Sequence, residues 1–187
     1  MLDEFAAAPD EETHYRTSQA YLYDLTVFAM SPTKLPYLGD LTEVVPPPAR
    51  ILDYGCGIGS DGLMLMQAGY EVAFADFDNP SVAYLRWRLE QRGLEAKVYD
   101  LDRDRPRGYD AAYSFDVIEH AEDPWCFLSD LGDTADLVCV NFLDEPEERL
   151  ALHRRLPVPE LLRFVRLTGL VRERVYHGHS HLVLYRP

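Results

Sequence analysis

From residue 49 onward the sequence alternates short apolar runs with helical stretches, and the first run empties into a glycine cluster, Asp53-Tyr54-Gly55-Cys56-Gly57-Ile58-Gly59. This pattern leaves a chain few options. Strands separated by helices cannot pair as hairpins, so they line up side by side in a parallel sheet with helices on both faces. A strand is expected over 49–54, then a helix over 60–69, a strand over 71–75 and a helix over 81–92 opened by Asn79-Pro80. Strands follow over 95–99 and 109–115, then a short helix over 123–131, a nearly continuous apolar strand over 137–143 and a helix over 158–167. Two last strands, 171–176 and 181–185, are joined through His177-Gly178-His179-Ser180 and read as an antiparallel hairpin. The fold class is α/β, a doubly wound, mostly parallel sheet, and such sheets bind ligands beyond the carboxyl ends of their strands.

Upstream, Thr13 to Met30 carries apolar residues at helical spacing and stops at Ser31-Pro32, and Lys34 to Val45 is a second helical piece closed by Pro46-Pro47-Pro48. Residues 1–12 are acidic and expected to fray. The 187 residues suit one domain: an acidic tail and helical cap over 1–45 and a core over 46–187. An apolar fraction of 47% fits a globular chain, and no run approaches a membrane span. The acidic start, Met1 to Phe5, lacks the order of a signal peptide, and Cys56, Cys126 and Cys139 form no metal or disulfide pattern, so a cytoplasmic protein without a structural metal is expected. A net charge of −14 argues against nucleic acid and anionic membrane as partners. The charge is uneven: residues 149–187 hold 8 Arg against 2 Glu, while residues 1–148 hold 10 Lys and Arg against 30 acids. The basic strip either salt-bridges to the rest of the domain or lines an anion site. Nothing in the sequence specifies an oligomeric state.

The glycine cluster carries the chemistry. Glycines let the chain turn sharply out of a strand and admit a ligand where a Cβ would stand, and the helix behind them aims N–H groups at the turn. With Asp53 two residues ahead, able to orient the loop or accept from an ammonium group, the loop fits an amino-acid-like ligand end. Asp76 ends the second strand, where a carboxylate can accept from both hydroxyls of a ribose; Asp78 and Asn79 compete as caps for the helix that follows. Asp100, after the third strand, is placed to accept from an exocyclic amine such as that of adenine, with Phe77 and Leu101 sandwiching the base. A dinucleotide reading uses the same letters: Gly57-Ile58-Gly59-Ser60-Asp61-Gly62 spells GxGxxG, and Asp76 lies 19 residues after Gly57. It fails on register, because the strand already reaches Gly55, and on charge, because Asp53 would face the pyrophosphate.

Taken together, Ile51 to Gly59, Ala75-Asp76-Phe77-Asp78, Tyr99-Asp100, Tyr109-Asp110 and Ser114-Phe115-Asp116-Val117-Ile118-Glu119-His120 through Pro124 resemble the class I S-adenosylmethionine-dependent methyltransferases. The stretch Phe115 to His120 is most similar to the small-molecule branch that includes the quinone-biosynthesis O-methyltransferases. The resemblance spans about residues 49–143 and implies a Rossmann-like seven-stranded sheet with a C-terminal antiparallel hairpin. It implies S-adenosyl-L-methionine as cofactor and S-adenosyl-L-homocysteine as product. Gly55, Cys56 and Gly57 would meet the methionine end, Asp53 would support their loop, Asp76 would hold the ribose, and Asp100 with Leu101 the adenine. Phe115 would flank the sulfonium. In place of the family's Lys-Pro-Gly-Gly turn stands Gly132-Asp133-Thr134-Ala135-Asp136, a shorter connection.

Methyl transfer asks mainly for alignment and exclusion of water, plus a base where the acceptor carries a proton. His120 and His153 are the candidate bases. Arg154 and Arg155 could clamp an acidic acceptor, and Tyr15, Tyr21 and Tyr23 could close over an aromatic one. His177, His179 and His181 alternate, but Gly178 breaks the strand geometry a metal would need, so a polar turn is expected there. The expected function is methyl transfer to a small molecule at oxygen or nitrogen. A non-catalytic cofactor-binding regulatory module and an NAD-dependent oxidoreductase are the alternatives.

Overall fold

The inner strands are apolar on both faces because both are covered. In the computed structural model, which describes residues 8, 9, 11–144 and 153–187, seven strands form one sheet: β1 (Arg50–Tyr54), β2 (Glu71–Asp76), β3 (Val98–Asp100), β4 (Ala111–Ser114), β5 (Val138–Leu143), β6 (Leu170–Tyr176) and β7 (Ser180–Tyr185). Their order is β3-β2-β1-β4-β5-β7-β6. The first five strands pair in parallel, and β7 inserts antiparallel between β5 and β6. Alternation sorts the residues cleanly. Ile51, Phe74, Tyr113, Cys139 and Leu182 enter one core, and Leu52, Ala75, Ala112, Val140 and Val183 enter the other.

Helices α1 (Glu11–Thr17), α2 (Gln19–Phe28), α3 (Leu35–Val44), α4 (Ser60–Gln67), α5 (Pro80–Gln91), α6 (Pro124–Gly132) and α7 (Val158–Thr168) complete the order. Tyr37 and Leu41 of α3, Leu63 of α4 and Leu85 of α5 pack on the first face; Leu131 of α6 and Leu161 of α7 pack on the second. The expected βαβ pattern, the seven-stranded Rossmann-like sheet and the terminal hairpin are therefore all present. The hairpin turns where His177 (φ 53°) and Gly178 (φ 79°) both take positive φ, the geometry that matches strand twist in a tight turn.

Two expectations need correction. The single helix over 13–30 is broken at Ser18, whose backbone is extended and whose Oγ accepts from Tyr21 N–H at 3.0 Å. A serine that can cap a helix competes with continuing one. The second helical piece is also more than a cover, since Tyr37 and Leu41 are 1% and 0% exposed. The expectation of a frayed 1–12 falls partly on residues 1–7 and 10, which lie outside the described set.

The basic strip is divided between ion pairs and a cavity wall. Arg172 pairs with Asp40 (2.6 Å) and Glu43 (2.7 Å) of α3, while Arg154 faces a cavity. Among the described residues no helix is long and apolar enough to cross a membrane.

Candidate active site

Strand order reverses between β1 and β4, so the carboxyl ends of these neighbours lead their chains apart and leave a crevice. A cavity of about 1070 Å³ opens there, floored by residues that follow β1, β2, β3 and β4 and covered by α1 and α2 through Tyr15, Arg16, Tyr21, Leu25 and Phe28. That volume is at the top of the roughly 300–1,000 Å³ range of single small-ligand sites, room for a nucleoside cofactor and a second small molecule.

The glycine loop is built as its sequence suggests, but its amides are used differently. Gly55 and Gly57 take positive φ (76° and 50°), and a Cβ on Gly55 would stand 2.7 Å from Val117. Gly55 and Cys56 donate their N–H groups to Ala75 O at 2.8 and 3.2 Å, and Gly59 donates to Cys56 O at 2.8 Å. Gly57 N–H donates to Asp76 Oδ2 at 2.7 Å. With these four N–H groups engaged inside the chain, the loop offers bare Cα surface rather than an amide nest for a pyrophosphate, which weighs against the dinucleotide alternative. Cys56 contributes backbone and a buried thiol that burial pushes well up, hence an inert one.

Asp53 does not line the cavity. It lies beneath the loop, 5% exposed, taking the Gly62 N–H, and burial reinforced by Asp61 raises its carboxyl to about 7. It therefore ties β1 to the first turn of α4. Asp76 does line the cavity. Its other oxygen accepts from Phe77 N–H at 2.7 Å, and burial raises it to about 6 against the lowering effect of the two N–H donors. Each oxygen keeps a lone pair, which suits a pair of vicinal hydroxyls. Asn79 caps α5 by accepting from Val82 N–H at 2.9 Å, so Asp76 is not needed as a cap. Phe77 and Leu101 line the cavity on either side. Asp100 does not; its carboxylate accepts from Asp102 N–H at 3.1 Å and pairs with Arg103 at 3.3 Å. Asp102 reaches the cavity and forms a two-bond pair with Arg16 (2.6 and 2.9 Å), while the Arg16 guanidinium lies 4.1 Å from the Phe77 ring centroid. Helix α1 is thus strapped over the end of the pocket formed by β2 and β3.

At the β4 side, Phe115 is 3% exposed and lines the cavity with Asp116, Val117 and His120. The His120 ring stands edge-on to Tyr15 (4.7 Å) and to His153 (5.0 Å). Arg154 shares the wall; His153 lies behind it, and Arg155 is exposed and away from it. Tyr21 lines the cavity with its phenol pushed up by burial and by Tyr15, Asp76 and Glu119, which places it between the two ends. Tyr23 is 72% exposed and takes no part. His177 and His179 bond Thr33 O and His177 O, as befits a polar turn.

Sequence reasoning missed Lys34. Its Nζ donates to Phe115 O at 3.1 Å and lies 3.6 Å from Asp61 and 3.8 Å from Asp116, all on the cavity wall. Burial lowers its pKa, but Asp61 and Asp116 more than offset this, so the ammonium stays charged. Asp116, at φ 57°, is held by Asn141 through two bonds (2.8 and 2.7 Å). A lone Lys opening a helix and an Asn inside an apolar strand give no local signal; only the fold brings them together.

A sheet of this order, with a bare glycine loop at its switch point and an acid ending β2 in a cavity of this size, has the fold of class I S-adenosylmethionine-dependent methyltransferases. Residues 52–135 match the family model of a methyltransferase domain. Over 132 residues the chain is 28% identical to a ubiquinone biosynthesis O-methyltransferase of Xanthomonas campestris, covering 68% of this chain and 52% of that protein. The chain thus spans about half the length of the curated relatives it matches. Among solved structures, it is similar to magnesium protoporphyrin IX methyltransferase of Synechocystis PCC 6803 with bound S-adenosylmethionine (TM-score 0.71, 19% identity, 97% and 99% of the two chains). It is also similar to the 1,6-didemethyltoxoflavin-N1-methyltransferase of Burkholderia thailandensis (TM-score 0.69, 18% identity, 89% and 84%). The Synechocystis enzyme holds S-adenosylmethionine in its structure, and the residues present here suit a group of that chemistry: an acid with free lone pairs, a loop without side chains, and apolar flanks at Phe77, Leu101 and Phe115.

Proposed function

We propose that this chain transfers a methyl group from S-adenosylmethionine to oxygen or nitrogen of a small-molecule acceptor held under the N-terminal helices, with the cytoplasm as its compartment. The observation that carries the reading is the single cavity joining Asp76 and the glycine loop to Phe115, His120 and Arg154. When bound, the cofactor supplies an electrophilic methyl group on a sulfonium that is already an excellent leaving group. Asp76 takes the ribose hydroxyls, Gly55 to Gly57 leave room for the amino-acid end, and Phe77 and Leu101 flank the base. Phe115 lies where the reacting centre falls, and Tyr15 and Tyr21 exclude water above it. The acceptor's proton is lost at the wall formed by His120 with His153 behind it. Arg154, the cation of the basic strip that faces the cavity, suits an acceptor carrying a carboxylate or phosphate. The named activities of relatives, on quinone precursors, a porphyrin and a toxoflavin precursor, support a small acceptor of this kind.

The test is incubation with methyl-labelled cofactor and a panel of phenols, quinols, amines and acidic metabolites. Label transfer to a small molecule, lost in Asp76→Ala, is the expected result. Failure to bind S-adenosylhomocysteine, with tight binding of NAD instead, would overturn the reading in favour of an oxidoreductase.

A further inference from the structure

We propose that the outer face of α2 is a self-association surface, on which a second copy of this chain packs antiparallel about a two-fold axis near Val27. Helix α2 is apolar on two opposite sides. Tyr21, Leu25 and Phe28 recur at spacings of four and three and line the cavity. Tyr23, Val27 and Met30 recur at the same spacings, and at about 3.6 residues per turn they fall on the side turned away from it. These three are 72%, 68% and 84% exposed, and Leu35 beyond them is 51% exposed. Met30, just past the end of the helix, also borders the cavity mouth. A helix that is apolar all round belongs in an interior, yet α2 buries none of its residues. Covering the cavity uses only one of its two apolar stripes.

The face suits a second copy better than a membrane or a charged partner. Between Gln19 and Leu35 the charged residues are Asp24 and Lys34, and Lys34 is turned inward to Asp61, Asp116 and Phe115 O. A helix that lies on a bilayer carries Lys or Arg on its polar side; α2 has neither, in a chain of net charge −14. An electrostatically steered partner reads charge on the docking face, and here Asp24 alone supplies it. Antiparallel packing about Val27 sets Tyr23 against Met30 of the partner subunit, a sulfur–aromatic pair made twice by symmetry. It also keeps the two Asp24 residues roughly 9 Å apart along the helix axis. The area is sufficient. Taking about 150–250 Å² for an aromatic side chain and somewhat less for an aliphatic one, Tyr23, Val27, Met30 and Leu35 offer on the order of 500 Å² per copy. Two copies then reach the roughly 1,000 Å² that a specific interface requires.

The association does not depend on the methyl-transfer reading. What it adds to that reading is a roof held in place: with its outer stripe buried against the partner subunit, α2 keeps Tyr21, Leu25 and Phe28 over the cavity by packing as well as by the ties at its two ends.

The test is sedimentation velocity of the full chain over a concentration series. It should show a reversible monomer–dimer equilibrium, tighter at high ionic strength because screening removes the repulsion between two like-charged bodies. Val27→Asp puts a charge at the axis and should weaken dimerisation more than about tenfold, and Tyr23→Ser should weaken it as well. Both residues are exposed in the single copy, so both variants should keep the wild-type circular dichroism melt at dilutions where all are monomeric. Leu167→Asp, on the exposed side of α7, should leave the equilibrium unchanged, and hydrogen exchange in α2 should slow as the dimer forms. A wild-type chain that stays monomeric at every concentration, or a dimer that Val27→Asp and Tyr23→Ser leave intact, would overturn the proposal. A monomer that floats with phosphatidylcholine vesicles, and loses them in Val27→Asp, would overturn it in favour of a membrane contact. Failure to bind S-adenosylhomocysteine with the dimer intact would overturn only the methyl-transfer reading.

Discussion

Asp76 carries the cofactor claim at the scale of single residues. It accepts Gly57 N–H and Phe77 N–H and still faces the cavity. Replacing it with Ala removes charge-assisted hydrogen bonds worth about 1.5–3 kcal/mol each, so S-adenosylhomocysteine affinity should fall at least about tenfold in calorimetry. Its carboxyl is raised to about 6 by burial. The ionised form accepts from hydroxyls, so affinity should decline as pH drops from 7.5 through 6 to 5. An affinity flat across that range would place the ribose elsewhere. Gly55→Ala meets both a positive φ of 76° and Val117 at 2.7 Å, and should cost cofactor binding without unfolding the sheet. The positions of Asp53, Gly55, Gly57 and Asp76 were legible in the sequence because each lies at or just beyond a strand tip that the pattern locates. Asp100 was placed one residue off the wall, because the turn after β3 directs Asp102 inward and folds Asp100 back on its own loop.

At the scale of elements, the cap is held by latches that no local pattern announces. Helix α1 is tied through Arg16 to Asp102 and Phe77, and the start of α3 through Lys34 to Asp61, Asp116 and Phe115 O. Helix α2, between them, buries no residue, so its position depends on these ties rather than on packing. Lys34→Met should leave the two carboxylates without their cation and loosen residues 11–34. Hydrogen exchange should rise in α1 and α2 while the strands keep their protection, and unchanged exchange in both helices would contradict the account. The strands were readable because their apolar runs are short and bounded by Gly, Pro and Asp. The break at Ser18 was not, because helical spacing continues straight through it.

Across the whole molecule the pattern is a negative protein that buries acids around its ligand site. Asp53 has its folded pKa raised to about 7 by burial, far above the roughly 3.9 of an unfolded chain. The native state therefore holds that proton more tightly, and the stabilisation it brings below pH 4 is lost as pH rises towards 7. The melting temperature should fall between pH 5 and pH 8, and Asp53→Asn should flatten that slope by an amount on the order of 1–3 kcal/mol. Fold class was legible from alternation alone, since a strand–helix repeat has one common solution. His120, His153 and Arg154 were named from the sequence one by one, but their meeting, and the place of Lys34 on the cavity wall, were not legible, because these segments come together only in the finished sheet.

The most direct test of the account is calorimetric titration of the full chain with S-adenosylhomocysteine, beside Asp76→Ala and beside NAD. One site per chain, markedly weakened in the variant and with no measurable heat for NAD, is the predicted result. No saturable binding of S-adenosylhomocysteine, or equal binding by the variant, would contradict it.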